Sequence, residues 1–297
     1  GAMHFMKDVL NCYFGFAVDA CDPEKTIEDS FAANAKKKAK APFARKKQDP
    51  PAAIPLSMFE TEDDKCELYR FVISKSSVKA LSDSTETSIA PMLSGMAAKA
   101  LSRTLNIENG NINISIAADL RRQYRSVSDR GFVLTTELTY NVQKLKKKDM
   151  FLTATALRSQ LDLFMDQDNL DYEILKAQRN NDLLNVCPFI LNIAKKAYYN
   201  MLYAPSANIV YTHLVQLGLT PELEDKIQDF YVAGSKAATP LLVVMGSNFG
   251  GKISLTVGVC IKNMAYVKEF AKVLEEEGVD FRMEQLTARA PLMHKPK

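Results

Sequence analysis

The sequence predicts an α/β fold, a mixed sheet flanked by helices, and three observations carry that prediction. Ile112 to Ala117 and Phe132 to Val142 alternate polar and apolar residues with a period of two, the mark of half-buried strands. Thr87 to Leu105 is rich in Ala, Met and Leu with few charges, which fits a helix covered on most sides. From there on, strand-like and helix-like segments interleave instead of forming separate blocks.

The elements follow in chain order. Residues 1–47 read as helical. Phe5, Val9 and Cys12 fall on one helical face with Met6, Leu10 and Tyr13 beside it. A second helix is expected to open at Glu24 after a turn at Asp22-Pro23 and to run through Phe31, followed by a basic run from Lys36 to Lys47. Asp49 to Pro55 is a loop, because proline cannot continue a helix. Cys66 to Ser74 reads as a strand and Ser76 to Leu81 as a short helix. Asp149 to Met165 and Tyr172 to Leu202 read as helices, the latter with a possible break at Pro188. Asn208 to Thr212, Asp229 to Val232, Leu241 to Met245 and Lys252 to Val259 are expected strands. Met264 to Glu276 is a helix closed by Gly278, and a loose tail runs from Arg289. Ser247 to Lys252 is a turn, whose asparagine and glycines suit positive backbone φ.

The chain has 297 residues, 47% hydrophobic, with a formal net charge of +3. That is globular composition with material for a large core, and the near-neutral balance gives no reason to expect a nucleic-acid partner. No apolar run reaches the roughly 18 residues of a membrane span. The five cysteines are scattered without Cys-x-x-Cys spacing and there are only three histidines, so no structural metal is expected and free thiols in a cytoplasmic setting are. There is no Gly-x-Ser-x-Gly elbow and no phosphate loop.

Two stretches carry a resemblance. The first is Ile116-Ala117-Ala118-Asp119-Leu120-Arg121-Arg122, followed by Ser126, Arg130 and Phe132. It resembles the central strand and turn of the alcohol O-acetyltransferase branch of the chloramphenicol acetyltransferase/condensation-domain superfamily, whose pattern is roughly Pro-Val-Asn/Asp-Leu-Arg, then Ser-x-Thr-x-Arg-Asn-Phe. Asp119, Leu120, Arg121, Ser126, Arg130 and Phe132 keep the pattern. Ala117, Ser128 and Gly131 depart from it. The second is the opening helix to Tyr13, similar to the helix that follows the family's His-x-x-x-Asp-Gly motif. Gly1-Ala2-Met3 is either native or an expression scar.

The resemblance implies a chloramphenicol acetyltransferase-like fold, with residues 1–79 as the end of a first subdomain and 80–297 as a complete second one. It implies an acyltransferase moving an acyl group from acyl-CoA to a hydroxyl acceptor, without a metal, through a histidine acting as general base. In the matching register that histidine lies upstream of Gly1. His4 and Asp8 spell His-x-x-x-Asp, but Val9 stands where the motif needs glycine; the plain alternative for His4 is a solvent-facing histidine. Arg121 occupies the position of the arginine that pairs with the motif's aspartate, with a surface arginine at a strand end as its alternative. Asp119 supports the same turn. Val210 to Val215, then Leu219-Thr220-Pro221-Glu222, resembles a strand ending Ser-Asn-Leu-Gly before a Leu-Pro-Glu-Glu turn. Thr212 and His213 take the Ser-Asn places, where the family's polar groups face the substrate tunnel and help hold an oxyanion. His213 could equally be a histidine satisfied at a strand end. The runner-up readings are a peptide-synthetase-type condensation domain, disfavoured because the chain ends near Lys297 with no carrier motif after it, and a non-catalytic binding or assembly protein on the same fold.

Overall fold

The computed structural model of the chain describes residues 2–18, 28–35, 54, 67–128, 131–186, 207–215, 217–234, 242–259 and 265–287. The N-terminal part holds helix α1 (Ala2–Phe14) and the short α2 (Ser30–Asn34). Residues 19–27, which include the expected helix opening at Glu24, lie outside the described residues; in α2 the Asp29 carboxylate accepts from the Phe31 and Ala32 amides and caps the first turn at Ser30. The basic run, the proline-rich loop except Ile54, the segment after Val186 through Pro188 to Leu202, and the tail lie outside the described residues.

From Glu67 on, strands and helices interleave. They are β1 (Glu67–Ser74), α3 (Lys75–Ser84), α4 (Ile89–Thr104), β2 (Asn111–Asp119), α5 (Arg121–Tyr124), β3 (Val133–Asn141), α6 (Val142–Leu145), α7 (Met150–Met165) and α8 (Gln167–Val186). After them come β4 (Ile209–Leu214), α9 (Pro221–Glu224), β5 (Leu242–Phe249), β6 (Lys252–Val259), α10 (Ala265–Glu276) and β7 (Phe281–Thr287). The seven strands form one mixed sheet in the order β3-β2-β4-β5-β6-β1-β7. β2, β4 and β5 are parallel neighbours, and β1 runs in the same direction two strands from β5. β3, β6 and β7 run the opposite way. The chain is thus a mixed α/β sheet flanked by helices.

One face of the sheet carries the main core. Phe71 and Ile73 of β1, Ile112, Ile114 and Ile116 of β2, Tyr211 of β4, Val244 of β5 and Leu255 and Val257 of β6 point into it. Met92, Leu93, Met96 and Leu101 of α4 and Tyr266 and Phe270 of α10 close it. Hydrophobic burial holds these layers together. Ion pairs tie α4 to α10: Lys99–Glu277 at 3.1 Å, and Arg103 with Glu269 at 3.2 Å and Glu276 at 2.8 Å. Asp149 caps α7, accepting from the Leu152 amide, and Gly278 closes the end of α10 at φ +69°. A smaller core of Leu120, Phe132, Phe164, Leu170 and Ile174 sits beyond the end of β2.

The structure departs from the sequence reading in four places. Asp229 to Val232 is not a strand; it is an extended segment held by side chains (below). β7 is an additional strand, pairing antiparallel with β1. β3 neighbours β2 as expected but lies at the edge of the sheet rather than inside it. Arg121 and Arg122 are not on a strand: β2 ends at Asp119, and both arginines belong to the helical turn α5, which Arg125 closes in the left-handed conformation at φ +53°.

Candidate functional site

Four strands of the sheet, β1, β5, β4 and β2, end at the same edge. In sheets of this kind the loops beyond the carboxyl ends of parallel strands form ligand crevices. Here that edge holds a cleft of about 440 Å³ lined by Lys75, Val215, Leu217, Gly218, Leu219, Glu224 and the residues from Asn248 to Lys252. Each wall is the continuation of a strand. Lys75 opens α3 directly after β1, Val215 to Leu219 follow β4, and Asn248 to Lys252 form the β5–β6 hairpin. The hairpin turn is Gly250-Gly251, at φ +54° and +72°, between the paired residues Phe249 and Lys252. Two successive positive φ values match the twist of the flanking strands, and glycine adopts them without strain.

The cleft is polar and mainly cationic. Lys75 and Lys252 are both exposed, and among the described residues neither makes an ion pair. Glu224, the one acidic side chain on the lining, is also exposed. Lysines on a cleft lining can hold an anion such as a phosphate, although Lys252, paired with Phe249, points to the sheet face of Asp229 and helps lower the pKa of that carboxyl.

His213 stands behind the cleft wall. It lies on β4 opposite Gly246 of β5. A Cβ on residue 246 would sit 2.9 Å from His213 Cγ, so the imidazole rests directly on the glycine backbone. Both ring nitrogens are engaged: Nδ1 with the Tyr211 hydroxyl at 3.0 Å, and Nε2 with Asn248 Oδ1 at 2.8 Å. Burial holds the His213 imidazole below its ordinary pKa, only partly offset by the hydrogen bond to Asn248, and keeps it neutral. Thr212, its neighbour, points to the other face because strand side chains alternate. That face is more open around β2 and β4, where Ala117 is exposed and Ser115, Val210 and Thr212 are half-buried. The two residues taken together in sequence therefore serve different surfaces.

Asp119 and Arg121 sit at the end of β2, on the same edge of the sheet. Asp119 Oδ1 accepts from both the Arg121 amide and Arg121 Nε, each at 3.0 Å. The pair is exposed, and the Arg121 Nη atoms make no hydrogen bond among the described residues. Arg122 is exposed. Asp8 is half-buried on α1, which runs through Asp8-Val9-Leu10 as unbroken helix; the His4 side chain lies outside the described residues.

Sequence reasoning missed a second polar construction, on the open face. Arg70 of β1 is 3% exposed and makes a bidentate bridge to Asp229 at 2.5 and 2.6 Å. Ser254 accepts from its Nη2 at 2.7 Å, and its guanidinium carbon lies 4.5 Å from the centre of the Tyr231 ring. The pairing holds the Arg70 pKa above its ordinary value and the Asp229 carboxyl below its own. Thr256 Oγ1 donates to the Val232 carbonyl at 2.6 Å. The segment at Asp229 is thus fastened across β1 and β6 by side chains, which is why its apolar residues read as a strand without forming one. An arginine inside a strand of buried apolar residues was the available signal, since a buried guanidinium needs a partner.

Among the described residues no group of three or more His, Cys, Asp or Glu side chains could hold a metal ion, and no helix is long and apolar enough to cross a membrane. No protein-family model and no curated protein matches the sequence. Solved structures do match the fold. One is F. graminearum TRI101 complexed with coenzyme A and T-2 mycotoxin, with a TM-score of 0.58 at 12% identity over 94% of this chain. Another is F. sporotrichioides TRI101 with coenzyme A and T-2, with a TM-score of 0.53 at 12% identity. A third is polyketide synthase associated protein 5 from Mycobacterium tuberculosis, with a TM-score of 0.53 at 12% identity over 92% of this chain. The chain spans 63% of the TRI101 structures and 69% of the mycobacterial one. At this identity the likeness is one of fold alone.

Proposed function

We propose that the chain is the CoA-binding portion of an acyl-CoA-dependent acyltransferase of the condensation/alcohol acetyltransferase type, acting on a hydroxyl acceptor. The general base is supplied by a His-x-x-x-Asp-Gly segment outside this sequence. The observation that carries the reading is the cleft at the shared edge of the parallel strands, with Lys75 and Lys252 on its lining. It lies on a fold shared with structures that hold coenzyme A, a ligand with several phosphates.

In the reaction the acceptor oxygen attacks the thioester carbonyl carbon, its proton passes to the base, the C–S bond breaks, and CoA leaves with a proton on sulfur. Lys75 and Lys252 bind the CoA phosphates. By the resemblance, Thr212 on the open sheet face would help hold the oxyanion, while His213 has both ring nitrogens engaged within the fold. By the resemblance, Arg121, whose Nε is held by Asp119, would pair through its Nη atoms with the aspartate of that motif.

Isothermal titration of the chain with coenzyme A tests the binding step. Saturable binding is expected, and Lys75→Ala/Lys252→Ala should weaken it at least about tenfold, roughly one charge-assisted contact's worth. No binding by the wild-type chain, or equal binding by the double variant, would overturn the assignment of this cleft. A non-catalytic binding protein on the same fold is the second reading. The observation favouring it is that His213, the histidine at this edge, has both nitrogens occupied.

A further inference from the structure

We propose that Asn248 is a ligand-binding residue of the cleft, presenting its side-chain NH2 to a phosphate oxygen, and that Tyr211 and His213 are positioning residues that lock it in that orientation. Tyr211 is 1% exposed, and its hydroxyl has one polar partner among the described residues, His213 Nδ1. A buried hydroxyl left without an acceptor is costly, so the hydroxyl donates and Nδ1 accepts. In a neutral imidazole the proton then sits on Nε2. Nε2–H needs an acceptor, and Asn248 Oδ1 is 2.8 Å away. The asparagine oxygen is thereby committed inward.

The amide nitrogen is left over. It makes no hydrogen bond among the described residues and is not among the buried unsatisfied atoms, and Asn248 lines the cleft. Its two N–H donors are therefore left for the cleft, whose lining also includes Lys75. An amide NH2 and a lysine on one lining suit an oxyanion of phosphate type, and Glu224 on the same lining can accept from a hydroxyl or amino group on the same ligand. The lowered pKa of His213 agrees with this arrangement, because a protonated ring could not accept from Tyr211. Where the phosphate is that of coenzyme A, the inference rests on the acyl-CoA reading above; the donor geometry itself does not.

The test uses the whole chain labelled with 15N at histidine and asparagine. The three histidines are assigned by elimination with His4→Gln and His294→Gln, which leave the cleft intact. His213 is expected as the neutral Nε2–H tautomer; an Nδ1–H tautomer would turn the amide oxygen to the cleft and overturn the proposal. Pyrophosphate is then titrated while the side-chain NH2 signals of Asn248 are followed. A saturable shift is expected. Asn248→Asp, which keeps the acceptor for His213 but removes the donors, should weaken pyrophosphate at least about tenfold with an unchanged melting temperature. No shift, or unweakened binding by Asn248→Asp, refutes the role of Asn248. A pyrophosphate response without coenzyme A binding would leave this inference standing and remove the acyl-CoA reading alone.

Discussion

At the scale of single residues, His213 and Gly246 are one construction rather than two. The imidazole occupies the volume that any side chain at 246 would need, and the 2.9 Å approach is to ring atoms braced on both sides by Tyr211 and Asn248. The ring cannot swing away without breaking both bonds. Gly246→Ala should therefore cost about 1–3 kcal/mol, the usual penalty of overpacking a filled site. In the His213→Ala background the same change should cost much less, because the atoms it collides with are gone. Urea unfolding of the four proteins in this double-mutant cycle measures the coupling. Additive costs would mean that Gly246 is required for some reason other than the histidine. The sequence could suggest His213, through its place in a strand resembling a known one. It could not show that Asn248, read as a turn residue, would carry the exposed end of the same hydrogen-bond chain, because that follows from strand pairing 35 residues apart.

At the scale of elements, legibility tracked the strength of the local pattern. β2 and β6 were readable because their apolar residues repeat every second position or run unbroken into the core. β7 was not: Arg282 and Glu284 interrupt it, as suits an edge strand with one side in solvent. The segment at Asp229 shows the reverse error, an apolar run fixed by a side-chain clamp instead of a backbone ladder. That clamp makes a prediction. Asp229→Ala would leave Arg70 buried with only Ser254 and the distant Glu284, at 3.7 Å, as polar partners. Asp229 is half exposed, so the cost should match hydrogen bonds to a charged group, about 1.5–3 kcal/mol, and not the larger figure for a fully buried pair. The pH dependence has a definite sign. The Asp229 carboxyl titrates below its ordinary range in the fold, so its contribution is complete above the unfolded value of about 3.9 and disappears as pH falls through the folded value. Denaturation curves at neutral and strongly acid pH should thus converge for wild type and Asp229→Ala; a constant gap would place the stabilisation elsewhere.

At the scale of the whole molecule, the sheet and its helices account for the fold, and the proposed chemistry adds the need for a positioned general base. That separates two roles of Arg121. In the chain alone it makes an exposed pair with Asp119, and such pairs contribute about 0–1 kcal/mol. Arg121→Ala should therefore hardly change the stability of the isolated chain, and Arg122→Ala should do as little. In a protein that carries the His-x-x-x-Asp-Gly segment, Arg121 would bury its free Nη atoms against the motif's aspartate. Removing it would strand that carboxylate, a loss of about 3–5 kcal/mol, and would disorder the loop holding the base. Arg121→Lys keeps the charge but lacks the planar fork, so it should rescue stability only in part and activity less. Thiol release from acyl-CoA, measured with a hydroxyl acceptor, should be slower for the isolated chain than for the extended protein by about the 10²–10⁴ that a positioned general base supplies. Rapid thiol release by the isolated chain, abolished by His4→Ala, would instead make His4 the base. Silent Arg121→Ala beside a damaging Arg122→Ala in the extended protein would shift the register of the β2 turn by one residue.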